Sequence, residues 1–296
     1  MSDIQIYLMD AFASEVGKGN RAGVVFDADG LSTAQMQAIA AFAGVSETAF
    51  LLSADDADLH VRYFTPATEV PICGHATIAS HYLRAKLNNI ASSRVMSKTG
   101  AGILPVDIER DGDGIKIIMT QGTPEMGDIL SADHVDEALL ALGLNRSDLA
   151  AGLPVQFAST GHGKVVIAIN NTETLHGIKP DFDALKVLTA KIGHTGYFVM
   201  SVEDAGAYKT HGRMFAPAIG INEDPVTGNG NGPAGLYLAH HGVLDFEDQV
   251  SYLGIQGEAM GKPGVIEVRV FKDGGAISKV QVAGSAVEAG TLTYSL

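Results

Sequence analysis

The chain has 296 residues, of which 46% are hydrophobic, and its formal net charge is −14. This length suggests two domains of similar size, and the hydrophobic content is sufficient to form their cores. The acidic balance argues against a nucleic acid partner, because a polyanion is repelled by a surface of the same charge. No segment resembles a membrane span or a secretory signal, so we expect a cytoplasmic protein. A single cysteine, Cys73, excludes an intramolecular disulfide bond.

The first part of the chain is predicted to contain strands on either side of one helix. Strands are predicted at 4–12 and 22–26. Ser32 and Gln35 form a capping box at the start of the helix, and Gly44 is a good C-terminal stop. A further strand is predicted at 45–52.

The rest of the chain is predicted to be richer in strands than in helices. Turn residues at 111–114 join two predicted strands into a hairpin. Such runs favour the α+β class, with largely antiparallel sheets, over a doubly wound parallel sheet. Glycine and proline interrupt the pattern at 121–127, which predicts domains at 1–122 and 123–296, with the last strand free to return to the first domain. The other predicted strands are 60–64, 103–108, 115–120, 164–169, 197–202, 265–271 and 277–282, and the other predicted helices are 134–142, 181–192 and 234–241.

The two halves of the chain contain similar sequences. Arg-Tyr-Phe-Thr-Pro-Ala at 62–67 resembles Arg-Met-Phe-Ala-Pro-Ala at 213–218. Each copy is followed by a turn and then by small residues, at 73–77 or at 227–230, that open an apolar helix. Chance similarity is the alternative, since the motif is short, but the agreement continues to a Tyr-Leu pair in each copy. The repeat therefore favours duplication and two related domains in a pseudo-two-fold relation.

Both copies place a glycine at the predicted start of a helix, Gly74 in the first and Gly228 in the second. Helix N-termini expose unpaired backbone N–H groups and carry a partial positive charge, so they bind carboxylates well. Every helix start needs a cap, and one such feature would carry little weight. Two matched helix starts predict a small-carboxylate site in a cleft between the domains.

Three titratable residues lie near these features. The period of two in a strand places Glu47 on one face with Val45 and Ala49, where a carboxylate is costly unless it is paired or protonated. The alternative is a strand-end glutamate that reaches solvent. His75 follows the first helix-start glycine and Asp224 precedes the second, and their alternatives are a capping histidine and a turn-forming aspartate. In the functional interpretation, Glu47 is the general acid/base, His75 donates or shuttles a proton, and Asp224 orients His75.

Three other patterns are weaker. Residues 230–235 match the dinucleotide fingerprint as a string, but they follow a turn-forming segment and include Pro233. The histidines fit no metal-ligand spacing, so no metal site is predicted. A racemase with two opposed thiols is excluded, because Thr227 occupies the place in the second copy that Cys73 occupies in the first.

Five motifs, in order along the chain, resemble those of the PhzF-like isomerase family. The resemblance implies a fold like that of diaminopimelate epimerase, with two similar domains that each wrap a barrel-like, mostly antiparallel sheet around a central helix. It also implies an active site between the domains, a small carboxylate substrate, no metal or coenzyme, and a homodimer. The motifs are 19–20, 46–50, 62–66, 73–77 and 223–229.

The best-known activity of this family is the isomerisation of a dihydro-hydroxyanthranilate in phenazine biosynthesis. The resemblance implies that Glu47 transfers the proton and that His75 and Asp224 assist it. It further implies that the backbone amides of Gly74 and Gly228 hold the substrate carboxylate.

Asn20 and Asn229 are expected to contact the substrate. Asn229 stands where the phenazine enzyme has serine, and Arg21 stands where family members often have proline, so the physiological substrate is left open. We expect a cofactor-independent isomerase that shifts a double bond in a small carboxylate. The alternatives are a racemase or epimerase with acid/base residues other than cysteine, and a non-catalytic carboxylate-binding protein.

Overall fold

A computed structural model describes residues 3–204 and 208–296 of the chain. These residues form 18 strands and six α-helices, in agreement with the predicted α+β class. The chain divides into two compact units, one formed by Met1–Thr120 with Ala283–Leu296 and the other by Gln121–Val282. None of the helices in the described ranges is long and apolar enough to cross a membrane.

The bounds of the elements are as follows. The strands are β1 (Asp3–Ala11), β2 (Asn20–Val25), β3 (Glu47–Leu52), β4 (Leu59–Phe64), β5 (Glu69–Val70), β6 (Ser93–Thr99), β7 (Gly102–Asp111), β8 (Gly114–Thr120), β9 (Pro124–Ile129), β10 (Gln156–Thr160), β11 (Lys164–Ile169), β12 (Tyr197–Asp204), β13 (Tyr208–Ala216), β14 (Ile221–Asp224), β15 (Gln249–Gln256), β16 (Gly264–Asp273), β17 (Ala276–Gly284) and β18 (Ala286–Ser295). The helices are α1 (Thr33–Ala43), α2 (Gly74–Leu87), α3 (Ala132–Leu142), α4 (Thr172–Gly177), α5 (Phe182–Ile192) and α6 (Gly228–His240).

In the first unit, the sheet surrounds helix α2. Strand β1 pairs with β2 and β18, β2 runs parallel to β3, β3 is antiparallel to β4, and β4 continues through β6 and β7 to β8. Helix α2 contacts strands from both ends of this series, and nine of its 14 residues are buried. The central helix predicted for this unit is therefore confirmed. Helix α1 covers another part of the sheet through a cluster that includes Met36, Phe50 and Phe64.

In the second unit, strands pair in the same order as in the first. Strand β11 runs parallel to β12, β12 is antiparallel to β13, β13 runs parallel to β15, and β15 is antiparallel to β16. Helix α6 is the buried helix of this unit, while α3 and α5 cover a second apolar cluster. The shared pairing order explains why the sequence motifs repeat. The pseudo-two-fold relation itself stays a prediction.

Helix α6 contains several glycines and Pro233, a composition that disfavours helices. Packing explains the glycines, because a Cβ atom at Gly230 would lie 2.5 Å from the ring of Phe198, and one at Gly235 would lie 2.7 Å from Val268. The glycines of the string that resembles a dinucleotide motif therefore allow the helix to approach the sheet closely.

Local signals located some elements well and missed others. Helix α1 begins after the Ser32 capping box and ends at Gly44, which has a φ of 66°. Residues 124–127, within the segment where glycine and proline interrupt the sequence pattern, belong to β9. Strand β9 forms because it pairs with β10, and Gly127 leaves room for the ring of Phe157, 2.6 Å from where a Cβ would lie.

The repeated motif has the same role in each unit. Arg62 forms a bidentate ion pair with Glu69, with both N–O distances at 2.8 Å, and its guanidinium lies 5.1 Å from the centre of the Phe64 ring. Arg213 pairs with Glu223 at the same distances and lies 5.0 Å from the centre of the Phe215 ring. In both units the Arg–Glu ion pair stabilises a short turn that leads to the buried helix.

The two ion pairs differ in burial, and this predicts different costs of removing them. The side chains of Arg213 and Glu223 are 7% and 15% exposed, and Arg213 also donates to the carbonyl oxygens of Leu175 and Ile178. We expect Arg213→Met to lower the free energy of unfolding by about 3 kcal/mol, because it leaves Glu223 buried and unpaired. The matched Arg62→Met change, at a more exposed pair, should cost about 1 kcal/mol or less. Urea unfolding followed by circular dichroism measures both, and equal losses would contradict the argument.

Candidate active site

Glu47 and His75 form the centre of the candidate site in the first unit. Glu47 is the first residue of β3, and His75 is the second residue of α2. Glu47 Oε2 lies 3.3 Å from His75 Nε2, and the two side chains are 16% and 8% exposed. The predicted apolar setting of Glu47 is present, since Ala49 and Leu51 on the same strand are buried. The carboxylate is paired with an imidazole, as burial requires.

The His75 ring has two further neighbours. Ser46 Oγ lies 3.3 Å from Nε2, and Cys73 Sγ lies 3.4 Å from Nδ1. These contacts orient the ring toward Glu47. Ser46 was not predicted as a site residue, although its position directly before Glu47 was a usable signal.

The N-terminus of α2 is suited to bind an anion. Its N-cap residue, Cys73, has an extended backbone and makes no side-chain capping hydrogen bond in the described structure. Thr77 Oγ1 donates to the Cys73 carbonyl oxygen at 2.7 Å and contacts the Tyr63 hydroxyl at 2.7 Å, which holds the helix start in place. A Cβ atom at Gly74 would meet nothing within 4 Å. The space beside Gly74 is therefore open, and the first N–H groups of a helix, which lack intrahelical partners, are suited to bind a carboxylate.

Asn20 lies at the same end of the sheet as Glu47. It opens β2, two residues before Ala22, which is the register partner of Glu47 on β3, and it is 3% exposed. Gly19 precedes it with a φ of +65°, and a Cβ there would lie 2.2 Å from the Ala11 carbonyl oxygen, so only glycine fits this turn. The register places Asn20 near the site but assigns it no role.

Arg21 has a structural partner. Its guanidinium forms a bidentate pair with the buried carboxylate of Asp10, with N–O distances of 2.7 and 2.8 Å. Asp10 also accepts a hydrogen bond from the backbone N–H of Gly17 at 2.7 Å. The Arg21–Asp10 pair therefore connects two strands and the turn between them.

In the second unit, Asp224 is joined to the start of α6. The hydroxyl of Thr227, the N-cap residue, donates a short hydrogen bond to Asp224 Oδ2. Gln256 Nε2 donates to the Asp224 carbonyl oxygen at 2.7 Å and to Thr227 Oγ1 at 3.1 Å, while Gln256 Oε1 accepts from the Thr227 N–H. Threonine is a good capping residue, but here its hydroxyl is directed to Asp224. Gln256, distant in sequence, carried no signal that could have identified it.

The start of α6 resembles the start of α2 in one more respect. Asn231 Nδ2 donates to the carbonyl oxygen of the N-cap residue Thr227 at 3.0 Å, as Thr77 does at Cys73. Gly228 and Asn229 are the first two residues of α6; Gly228 is buried and Asn229 is half-buried. The second unit thus holds Asp224, Gly228 and Asn229 together, while the first holds Asn20, Glu47, Gly74 and His75. The predicted cleft between the two groups stays a prediction.

A buried lysine that was not predicted adds a charge to the second unit. Lys164 is 7% exposed at the start of β11, and its Nζ donates to the Gly163 carbonyl oxygen at 3.1 Å. Burial lowers the pKa of Lys164 to about 8, although the negative charge of Asp224 raises it in part. In the sequence, the position of Lys164 directly before a run of apolar residues was the signal that could have indicated its burial.

The pKa of Lys164 predicts a rise of stability with pH. Since its pKa is about 8 in the folded chain and returns to its ordinary value of 10.5 on unfolding, the unfolded chain binds the extra proton between these values. The free energy of unfolding should therefore rise as the pH increases from 8 to 10.5. We expect Lys164→Met to increase the free energy of unfolding by about 2 kcal/mol at pH 7. The variant should also lose the increase of that free energy between pH 8 and pH 10.5. Urea unfolding at several pH values measures both, with the exposed Lys186→Met as control, and an unchanged pH profile in Lys164→Met would contradict the assignment.

Among the residues that the structure describes, two groups of side chains could hold a metal ion. The ligand atoms of Glu47, Cys73 and His75 lie within 4.8 Å of one another, as do those of His176, His211 and Glu258. An ion at the first group would occupy the Glu47 carboxylate and the His75 imidazole. The second group joins residues from distant parts of the chain, which spacing rules cannot detect.

The fold is similar to that of a PhzF family protein and to that of an epimerase. A crystal structure of a phenazine biosynthesis protein of the PhzF family from Bacillus anthracis matches with a TM-score of 0.91 and 32% identity over 100% of both chains. A hydroxyproline epimerase from Agrobacterium vitis matches with a TM-score of 0.61 over 99% of this chain and 91% of that one, and at 13% identity it shows the fold alone.

Sequence comparison identifies the family. The profile of the phenazine biosynthesis-like proteins, PhzC-PhzF, matches residues 9–291. An uncharacterized isomerase of Clostridium acetobutylicum is 49% identical over 287 residues, 95% of each chain, and the uncharacterized isomerase YddE of Escherichia coli is 47% identical over 284 residues, 96% of this chain and 95% of that one. The trans-2,3-dihydro-3-hydroxyanthranilate isomerase of Pseudomonas chlororaphis is 33% identical over 294 residues, 98% of each chain. The chain belongs to the phenazine biosynthesis-like family and is an isomerase, as predicted.

Proposed function

We propose that this isomerase moves a proton on a small carboxylate substrate and thereby shifts a double bond, with Glu47 as the acid/base and no cofactor. The observation that carries the proposal is the Glu47–His75 pair, 3.3 Å apart, beside the open N-terminus of α2. A base lies next to a place where a carboxylate can bind, so a bound substrate would present its neighbouring carbon atoms to that base.

The proposed reaction begins when Glu47 removes a proton from a carbon atom adjacent to an unsaturated system. The electrons of the broken C–H bond move into the conjugated system and the double bond shifts. Glu47, assisted by His75, then returns the proton to a different atom. N–H groups at Gly74 and Gly228 would stabilise the substrate carboxylate and the charge that spreads onto it. Asp224 would act at the second of these helix starts.

A relative with a named reaction supports the choice of substrate class. The Pseudomonas chlororaphis protein acts on trans-2,3-dihydro-3-hydroxyanthranilate, a cyclic carboxylate. We propose a related cyclic or amino-acid-like carboxylate here. Asn229, half-buried at the second position of α6, would then adjust which substituents are accepted.

The contact between Glu47 and His75 disfavours an epimerase that uses these two residues as opposed bases. Two bases on opposite faces of one carbon, each within reach of a proton, stand about 6 Å apart or more. The Oε2–Nε2 distance is 3.3 Å, so both groups approach a substrate from one side. An epimerase reaction would need its second base from another residue.

Proton NMR in deuterated water tests the proposal. We expect trans-2,3-dihydro-3-hydroxyanthranilate to be converted to a product with a shifted double bond. Deuterium appears at the carbon that receives the proton to the extent that the proton on Glu47 exchanges with solvent before it is returned. Inversion at a chiral carbon without such a shift would support the epimerase alternative. If neither this compound nor a panel of related carboxylates reacts or exchanges protons, the proposal is rejected.

A further inference from the structure

His176, His211 and Glu258 form a compact cluster in the second unit that the proposed reaction does not use. Glu258 Oε2 lies 2.7 Å from His211 Nδ1 and 3.1 Å from His176 Nε2. One carboxylate oxygen thus contacts a nitrogen of each ring, and the ring centres are 6.4 Å apart at an angle of 80°. The ligand atoms of the three side chains all lie within 4.8 Å of one another.

The backbone supporting the cluster is well connected. His211 lies within β13, opposite Ser201 on β12 and Ile255 on β15. Glu258 opens a short 3-10 helix directly after β15, and His176 is in the last turn of α4, which packs against β12 and β13. Ligands on connected elements keep their spacing, which is a requirement for a metal site.

We propose that His176, His211 and Glu258 form a binding site for a divalent transition metal ion of the Zn²⁺ type. Two imidazoles and one carboxylate are a known ligand set for Zn²⁺, and tetrahedral bonds of about 2.0–2.1 Å place ligand atoms about 3.3 Å apart. The observed distances of 2.7 and 3.1 Å to Glu258 Oε2 need to widen by about 0.6 and 0.2 Å to reach this spacing. The imidazole donors select against Mg²⁺ and Ca²⁺, which prefer oxygen.

The site is open on one side. The side chains of His176 and Glu258 are 38% and 29% exposed, while that of His211 is 11% exposed. An ion can therefore enter from solvent and retain water in the remaining coordination position, as open three-ligand zinc sites do. The bound ion would connect α4 and β13 with the segment that follows the end of β15 at Gln256.

Titration of the full chain with Zn²⁺ alone tests the proposal. It is made in a Cys73→Ser background, which removes the thiol of the other candidate cluster. Calorimetry should show one Zn²⁺ per chain, and Co²⁺ should give visible absorption without a thiolate charge-transfer band. His176→Ala and Glu258→Gln should each weaken Zn²⁺ binding at least about 100-fold, since each removes a direct ligand. His240→Ala, which removes an exposed histidine elsewhere, should bind like the background.

Circular dichroism without metal confirms that the variants are folded. His176 is exposed, so His176→Ala alone decides the question if Glu258→Gln is unstable. Zn²⁺ should raise the midpoint of thermal unfolding in the background but not in His176→Ala. The proposal is overturned if the Cys73→Ser chain binds no Zn²⁺. It is also overturned if adding His176→Ala to that chain leaves its affinity for Zn²⁺ unchanged.

Discussion

Replacing Glu47 by glutamine is expected to lower turnover at least about 1,000-fold, the loss typical of removing a positioned acid/base. Glutamine has nearly the same shape and can still contact His75, 3.3 Å away in the native pair, but it cannot accept the proton. The N-termini of α2 and α6 are untouched, so small carboxylates should still bind. Proton NMR in deuterated water measures the rate, and calorimetry with a non-reacting carboxylate measures binding.

A matched control removes a carboxylate of the same unit that has no part in the proposed reaction. Glu69 is paired with Arg62, and its side chain is 41% exposed. Glu69→Gln should leave the rate within about twofold of the native protein, because it acts only on a surface ion pair. Turnover retained in Glu47→Gln would reject the role of Glu47. Loss of carboxylate binding together with turnover would mean that Glu47 organises the site rather than moves the proton.

Acid is expected to destabilise the protein through His81. This residue lies on the central helix α2 and is fully buried; Ser97 Oγ lies 3.3 Å from its Nε2, whereas its Nδ1 has no hydrogen-bond partner among the described atoms. Burial lowers the pKa of His81 to about 3, with a smaller contribution from the charge of Arg84. The folded chain thus excludes a proton that the unfolded chain binds below about pH 6.5.

The direction of the effect follows from proton binding. Above pH 6.5 His81 is neutral in both the folded and the unfolded state, so it does not reduce the free energy of unfolding. As the pH falls toward 3, only the unfolded state gains the proton. The free energy of unfolding should therefore fall by up to about 5 kcal/mol over this range because of His81 alone. Urea unfolding at intervals between pH 7 and pH 3.5 measures the slope.

His81→Gln distinguishes this cause from general acid effects. Glutamine can still bond to Ser97 but does not titrate, so the variant should lose much of the slope even if it is less stable at pH 7. His240→Gln, at an exposed position of α6, should keep the native slope. Identical slopes in His81→Gln and in the native protein would show that His81 is not the acid-sensitive group.

Local sequence signals identified the elements whose causes lie within a few residues. The capping box of Ser32 with Gln35 and the left-handed Gly44 bound helix α1, and the turn at 111–114 joins β7 to β8. The strand at 164–169 was predicted with its observed bounds because it is buried throughout and reads as one apolar run. Strands β9 and β18 were missed because their residues are mostly half-buried or exposed, and pairing rather than apolar pattern forms them.

The same division applies to the site. The repeated motif was sufficient to identify Gly74 and Gly228 as helix starts, and the placement of Glu47 beside an apolar strand indicated an unusual carboxylate. Which groups contact them depended on long-range packing. Gln256 reaches Thr227 from the end of another strand, and Lys164 is buried with a lowered pKa near Asp224.

The amino-acid sequence was therefore sufficient to predict the α+β class, the internal repeat and the residues that begin each buried helix. Helix starts and strand patterns depend on spacing within about four residues along the chain, where spacing alone specifies geometry, and the repeat is visible directly as two similar stretches of sequence. The contact of Ser46 with His75, and the meeting of His176, His211 and Glu258, became visible only in three dimensions. Those contacts arise when sheet pairing brings distant segments together, and the register of that pairing depends on burial over the whole unit rather than on local pattern.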